Sequence, residues 1–190
     1  MKNIAVFASG NGTNAENIIK YFNRGEGKRD AHVVLVVCNR PEAGVIGRAE
    51  RLGVPVRVLS AKETKSQETM SAVLQEFDID LIVLAGYLLL VPTWLVQAYP
   101  NKIINIHPAL LPKYGGKGMY GEKVHQAVVA AGEKQTGITI HYVNECYDEG
   151  KTIFQATVDL LPEDTVLDVE RKIHQLEQQH FPRIIHNILI

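Results

Sequence analysis

The chain has 190 residues, of which 46% are hydrophobic, and its 20 lysines and arginines nearly balance its 21 aspartates and glutamates. The length and the apolar fraction fit a single domain with a sizeable core, whereas the net charge of −1 argues against a nucleic-acid partner bound through bulk electrostatics. No apolar stretch is long enough to cross a bilayer, so a membrane partner is not expected either.

Apolar strand patterns alternate with helical patterns over the first 131 residues. We predict strands at residues 3–9, 32–38, 55–59, 80–85 and 102–107, and helices at residues 15–22, 43–52 and 64–77. These strands are apolar on both faces, which is typical of a parallel sheet covered by helices. The pattern predicts an α/β fold in which residues 1–131 form a Rossmann-like, doubly wound half.

The remaining residues change in style. Residues 135–143 and 151–159 alternate polar and apolar side chains, which predicts antiparallel strands added at the sheet edge. Residues 165–186 carry apolar side chains at helical spacing, which predicts a long amphipathic C-terminal helix with Asp164 or Thr165 as its cap. No linker or repeat divides the chain, so residues 1–190 are predicted to form one domain.

A glycine-rich turn, Ser-Gly-Asn-Gly-Thr-Asn at residues 9–14, joins the first predicted strand to the first predicted helix. Glycine lets the backbone curl, and the free amides of a helix N-terminus favour an anion such as a phosphate. The turn matches neither GxGxxG nor GxxxxGK[ST], which disfavours a nucleotide cofactor. An ordinary tight turn capped by Asn or Thr is the alternative.

Asn105 and His107 alternate with apolar neighbours at the end of a predicted strand, so both side chains project from one face. Polar residues at the carboxyl end of such a strand are typical of a catalytic site, although a strand-end histidine is also often structural. Asp148 follows a later strand and could meet the pair. The acid would then hold His107 protonated and could itself take up a proton; a simple turn is the alternative for Asp148.

Several further residues are predicted with less specific roles. Residues 114–120 form a glycine-rich loop that could be a lid or a slack connector. His125 could face the site, whereas His174 is predicted to be a surface or packing residue. Cys38 and Cys146 lie far apart without metal or disulfide spacing, and no signal-peptide pattern follows Met1, so we expect a cytoplasmic protein without a metal.

Taken together, these motifs resemble the signature of the folate-dependent formyltransferases. The resemblance rests on Asn-x-His-Pro-Ala-Leu-Leu-Pro at residues 105–112, Thr-Gly-Ile-Thr-Ile-His at residues 136–141, and Asp148-x-Gly150 followed by Gln155. It implies a formyltransferase fold with a phosphate-binding half at residues 1–131 and folate-side strands and helix at residues 132–190. It also implies formyl transfer from 10-formyltetrahydrofolate to the amine of glycinamide ribonucleotide in purine synthesis, by a monomer or weak homodimer.

The resemblance also implies the site residues. Asn105, His107 and Asp148 match the family's catalytic trio. The substrate-binding positions are Gly12, Thr13, Asn14 and Glu177, the last standing five residues before Pro182. The folate-binding positions are Leu88, Leu89, Leu90, Val91, Asn105, Asn144, Glu145, Cys146 and Tyr147.

The chain departs from the family pattern in several places, two of which concern folate contacts. Leu88-Leu89 stands where many relatives carry Met-Arg, and Gln67 aligns loosely with a folate-contacting arginine. Other formyltetrahydrofolate-using enzymes, a methionyl-tRNA formyltransferase or a hydrolase, are alternatives, but each normally carries an extra domain for which 190 residues leave no room. A non-catalytic phosphosugar-binding module is the alternative of a different class.

Overall fold

The computed structural model describes residues 1–190, and its centre is one seven-stranded sheet in the order β3-β2-β1-β4-β5-β6-β7. Strands β1 to β5 are parallel, and β6 and β7 are antiparallel additions at one edge. The α/β fold with antiparallel edge strands is therefore confirmed. The strands are β1 (Lys2–Ala8), β2 (Ala31–Cys38), β3 (Val56–Val58), β4 (Leu81–Leu84), β5 (Ile103–His107), β6 (Gln135–Tyr142) and β7 (Thr152–Asp159).

Helices cover both faces of the sheet, because its central strands are apolar on both sides. The larger apolar cluster packs one face against α1, α2, α5 and α6, and the smaller cluster packs the other face against α3 and α4. The helices are α1 (Thr13–Asn23), α2 (Gly44–Arg51), α3 (Gln67–Glu76), α4 (Thr93–Ala98), α5 (Glu122–Ala130) and α6 (Val166–Leu189). No helix is both long and apolar enough to span a membrane.

The predicted helices differ from the observed ones in two respects. The helix expected at residues 64–77 is divided into a short 3-10 turn, Glu63–Lys65, and α3. Ser66 separates them because its side chain accepts a hydrogen bond from the amide of Thr69 and so begins a new helix. The six-residue helix α4 was not predicted at all, since its length is too short to show an apolar period.

The long C-terminal helix α6 is confirmed, and it begins one residue later and extends three residues further than predicted. Thr165 is its N-cap: the Thr165 hydroxyl accepts from the Asp168 amide, and the Asp168 carboxylate accepts from the Thr165 amide. Asp164, the other predicted cap, instead pairs with Lys172. This firm start fixes which face of α6 points toward the sheet and the site.

Candidate active site

A cavity of about 610 Å³ opens at the carboxyl ends of β1, β4 and β5, where parallel α/β sheets usually bind ligands. Its walls come from the turn after β1, the segment after β4, the end of β5, the loop before α5, the loop between β6 and β7, and one face of α6. Segments distant in sequence therefore meet around one space.

The turn after β1 forms one end of the cavity. Gly12 has φ +80°, a left-handed conformation that L side chains rarely adopt, and an added Cβ would lie 2.5 Å from Val45 Cβ. Only glycine therefore lets α2 pack this closely behind the turn. Thr13 and Asn14 begin α1 two residues before its predicted start and line the cavity with Gly12. The amides of this helix start favour an anion.

Glu177 reaches this end of the cavity from α6. Its carboxylate accepts a hydrogen bond from Asn14 Nδ2 at 2.9 Å, which links two predicted substrate-binding residues 163 positions apart. Glu177 is only 6% exposed, and burial raises the pKa of its carboxyl above the usual range although the Asn14 hydrogen bond opposes this. An acid placed here is costly, which fits a binding role rather than a packing role.

The predicted trio meets at the other end of the cavity. His107 Nδ1 lies 3.5 Å from one oxygen of Asp148, and Asn105 Nδ2 lies 3.5 Å from the other. Asn105 Nδ2 also lies 3.1 Å from Nε2 of His141, its neighbour on β6. His141 Nδ1 lies 2.9 Å from the Tyr142 carbonyl, and its Nε2 lies 3.6 Å from Asp148 Oδ1. The structure thus brings the amide, the imidazole and the acid together.

Asp148 is held in place by its backbone as well as by its partners. Its φ of +57° is uncommon for a residue with a side chain. Two residues later, Gly150 lies so close to the Tyr142 carbonyl oxygen that a Cβ would overlap it. The Gly116 amide donates to Asp148 Oδ2 at 3.0 Å. A strained residue with this much support is typical of a functional site.

Burial opposes the protonation expected for His107. Burial lowers the pKa of this imidazole, which is 3% exposed, and the raising effects of Asp148 and of the Tyr114 carbonyl do not fully restore the pKa. Burial raises the pKa of Asp148, but its interaction with His141, the charge of His107 and the Gly116 amide outweigh that and lower it. These directions favour a neutral imidazole beside a carboxylate, because desolvation of the imidazolium opposes its attraction to the one acid.

Most of the predicted folate-binding residues line the same cavity. Those that do are Leu88, Leu89, Leu90, Val91, Asn105, Cys146 and Tyr147. Asn144 and Glu145 do not line the cavity; Asn144 instead accepts from the backbone amide of Cys146 and shapes the loop. The segment after β4 is fixed by Ser9, whose hydroxyl accepts from the Leu88 amide at 3.0 Å.

Several polar residues that line the cavity were not predicted as site residues, among them Glu170, His174 and His125. Glu170 and His174 stand on α6 above Glu177, and their spacing of four and then three residues is the signal that places all three on one helix face. His125 lies on α5, and the sequence analysis gave it only a possible place facing the site. It is 3% exposed, and its Nδ1 has no hydrogen-bond partner in the protein. No three His, Cys, Asp or Glu side chains converge as metal ligands would.

Comparison with known proteins agrees with this geometry. A family model described as formyl transferase matches residues 2–185. The phosphoribosylglycinamide formyltransferase of Bacillus subtilis (strain 168) is 39% identical, over 100% of this chain and 95% of the relative. The chloroplastic enzyme of the same name from Arabidopsis thaliana is also 39% identical, over 97% of this chain, but this chain covers only 64% of that relative's length.

Two solved structures give the same result. The crystal structure of glycinamide ribonucleotide transformylase 1 from Geobacillus kaustophilus matches with a TM-score of 0.89 and 39% identity, covering 100% of both chains. The structure of a phosphoribosylglycinamide formyltransferase from Bacillus halodurans matches with a TM-score of 0.87 and 37% identity, covering 99% of this chain and 95% of that one.

Proposed function

This chain belongs to the formyl transferase family, and from that membership we propose that it transfers a formyl group from 10-formyltetrahydrofolate to the amine of glycinamide ribonucleotide. The observation that carries the proposal is the single cavity with an anion-binding turn at one end and Asn105, His107 and Asp148 at the other. A phosphate held at the turn would leave the substrate's amine free to reach the trio. The names of the relatives point to the same substrate.

The substrate end would bind the phosphate and the sugar by different means. The amides at the start of α1 would receive the phosphate at Gly12, Thr13 and Asn14. Glu177, already paired with Asn14, is an acceptor suited to sugar hydroxyls. An ionised Glu177 would repel a phosphate, so the carboxylate and the turn must contact different parts of the ligand.

The trio would act by proton transfer and charge stabilisation. As the amine adds to the formyl carbon, the nitrogen must lose a proton and the formyl oxygen becomes an oxyanion. A neutral His107, which burial favours, can accept that proton at Nδ1, and the resulting imidazolium is stabilised by Asp148 at 3.5 Å. The imidazolium then protonates the departing folate nitrogen as the carbon–nitrogen bond breaks, which leaves the enzyme unchanged.

Asn105 would stabilise the oxyanion. Its contact with Asp148 is 3.5 Å, the outer limit of a hydrogen bond, so this N–H can turn to a new acceptor while its contact with His141 is kept. Removing one such donor typically costs about 2.7–4 kcal/mol of transition-state stabilisation. Asn105 is thus assigned to the oxygen, and the His107–Asp148 pair to the proton.

The pterin would lie against the apolar wall formed by Leu88, Leu89, Leu90 and Val91, with Cys146 and Tyr147 opposite. All four side chains of the first wall are apolar, so this wall offers hydrophobic contact and no charge. A cytoplasmic location and a monomeric or weakly dimeric state remain predictions. Both cysteines are free thiols.

A direct assay tests the proposal. Purified protein is mixed with glycinamide ribonucleotide and 10-formyltetrahydrofolate, and tetrahydrofolate release is followed by absorbance. We expect release that requires the amine substrate. Release without that substrate would indicate a hydrolase, and binding of the ribonucleotide without any formyl transfer would indicate a phosphosugar-binding module.

A further inference from the structure

A short backbone segment, residues 114–116, contacts both members of the proton-transferring pair. The Tyr114 carbonyl accepts from His107 Nε2 at 2.7 Å, and the Gly116 amide donates to Asp148 Oδ2 at 3.0 Å. The carbonyl contact requires the His107 proton to be on Nε2, which leaves the Nδ1 lone pair facing Asp148. The segment therefore sets both the orientation and the tautomer of His107.

The backbone of Tyr114 adopts an unfavourable conformation. Its φ is +56°, in the left-handed region that residues other than glycine rarely occupy. Gly115 follows, where a Cβ would lie 2.5 Å from Leu111 Cδ2. A backbone held in this state needs support from outside, because relaxation would move the carbonyl away from His107.

Glu133 supplies that support. It lies in the turn between α5 and β6, and its Oε1 accepts from the Tyr114 hydroxyl at 2.9 Å and from Lys113 Nζ at 2.9 Å. Neither Tyr114 nor Glu133 lines the cavity, so neither can touch a substrate there. Their side chains can affect the reaction only through the backbone of residues 114–116.

We propose that Glu133 is a positioning residue of the active site, which acts through the Tyr114 hydroxyl to hold the Tyr114 carbonyl on His107. The proposal rests on the function proposed above only for the role of His107. The orientation of the imidazole itself can be measured without any turnover.

The effect of a change at Tyr114 on the pKa of His107 depends on the groups that face the imidazole. They are the carboxylate of Asp148, the imidazoles of His141 and His125, and the Tyr114 carbonyl. Burial and the imidazole of His141 lower the pKa of His107, whereas Asp148 and the Tyr114 carbonyl raise it. Loosening the carbonyl therefore lowers the pKa of His107 further and moves the acid limb of the activity profile to lower pH.

Four variants separate this role from simple fastening of the loop. Tyr114→Phe removes only the hydroxyl, and Glu133→Ala removes its acceptor. Glu133→Gln keeps an acceptor oxygen for the hydroxyl and should restore wild-type behaviour. Lys113→Met removes the exposed ion pair to the same oxygen and is the matched control, since exposed pairs contribute little.

Two measurements are made on each variant. The titration of His107 is followed by NMR of the ¹⁵N-labelled imidazoles, with the signal assigned by its loss in His107→Gln. In parallel, kcat and KM for both substrates are measured across the pH range. In Tyr114→Phe and Glu133→Ala we expect the pKa of His107 to fall by about half a unit, and kcat to fall about 5- to 10-fold with KM within about twofold.

Specific outcomes would overturn the proposal. An unchanged His107 titration in Tyr114→Phe and Glu133→Ala would show that Glu133 only fastens the loop, whatever happens to kcat. A shifted titration with unchanged kcat would show that the position of His107 does not limit turnover. Absence of formyl transfer in the unsubstituted protein would reject the proposed function, and the NMR titration would still decide whether Glu133 positions His107.

Discussion

The two ends of the cavity are built in opposite ways. At the substrate end, a continuous stretch, residues 10–14, offers backbone amides at the start of α1, and one distant residue, Glu177, completes it. At the catalytic end, Asn105 and His107 from β5 meet His141 from β6 and Asp148 from the following loop. The first end is therefore mostly local backbone, and the second is a network of side chains from separate segments.

This difference determines what each end tolerates. Backbone amides keep their dipoles whatever side chains surround them, so the substrate end depends on the path of the chain. The catalytic end depends on buried polar groups that satisfy one another, and removing one leaves its partners without hydrogen bonds. We expect substitutions at the catalytic end to change turnover, and those at the substrate end to change substrate affinity or stability.

The largest effect is expected for Asp148→Asn at the catalytic end. Loss of the carboxylate leaves the imidazolium that forms at His107 during the reaction without its counter-charge. We therefore expect kcat to fall by about 10²–10⁴-fold, the usual contribution of a positioned acid or base. KM for both substrates should stay within about threefold, since the asparagine keeps the shape of the side chain. Steady-state kinetics measure both values.

Glu149→Gln, on the exposed neighbouring residue, is the matched control for that experiment and should leave kcat unchanged. If Asp148→Asn turned over as fast as the unsubstituted protein, the assignment of Asp148 to proton transfer would be rejected.

The next effect is expected for Gly12→Ala at the substrate end. The positive φ and the 2.5 Å approach to Val45 leave no room for a methyl group, so the free energy of unfolding should fall by about 2–4 kcal/mol. Gly10→Ala is the control, because nothing lies within 4 Å of its added Cβ, and it should change stability by less than about 1 kcal/mol. Equal losses in urea unfolding would contradict the geometric explanation.

A smaller effect, with opposite signs for binding and stability, is expected for Glu177→Gln. A pKa raised in the folded state means that the carboxyl stabilises the fold when protonated, below its unfolded pKa, and that this stability is lost as pH rises through the folded pKa. At pH 8 the glutamine should therefore raise the free energy of unfolding by about 1 kcal/mol, while KM for glycinamide ribonucleotide rises about 10-fold.

Glu170→Gln on the same face of α6 is the matched control for stability. Its side chain is 39% exposed, so the unfolding free energy should change by less than about 0.5 kcal/mol. A destabilised Glu177→Gln protein would mean that the carboxylate is needed by the fold itself.

The smallest effect is expected for His125, a buried histidine that lines the cavity. Burial lowers the pKa of His125, so stability is complete above the unfolded pKa near 6.5 and is lost as pH falls through the lower folded pKa. His125→Gln should make the loss of unfolding free energy between pH 7 and pH 5 smaller by about 1 kcal/mol. Denaturant unfolding at pH 8, 7, 6 and 5 measures this, and an unchanged slope would contradict it.

The sequence predicted the parallel strands, the antiparallel edge and the long C-terminal helix, because apolar period and capping residues are local signals. It also placed Gly12, Thr13 and Asn14 at a helix start and Asn105 beside His107 on one face. It failed for the six-residue α4 and for the break at Ser66, where tertiary packing and a single side-chain hydrogen bond decided the outcome.

By itself, the sequence determined two local features of the site: a glycine turn that leads into a helix, and a pair of polar side chains at a strand end. Only the tertiary structure decided the charge of that pair. Whether His107 is protonated depends on how completely the surrounding segments exclude water, and that balance of burial against one carboxylate comes from Asp148, Tyr114 and His141 meeting around it. Desolvation depends on the whole three-dimensional environment, so no local pattern encodes it.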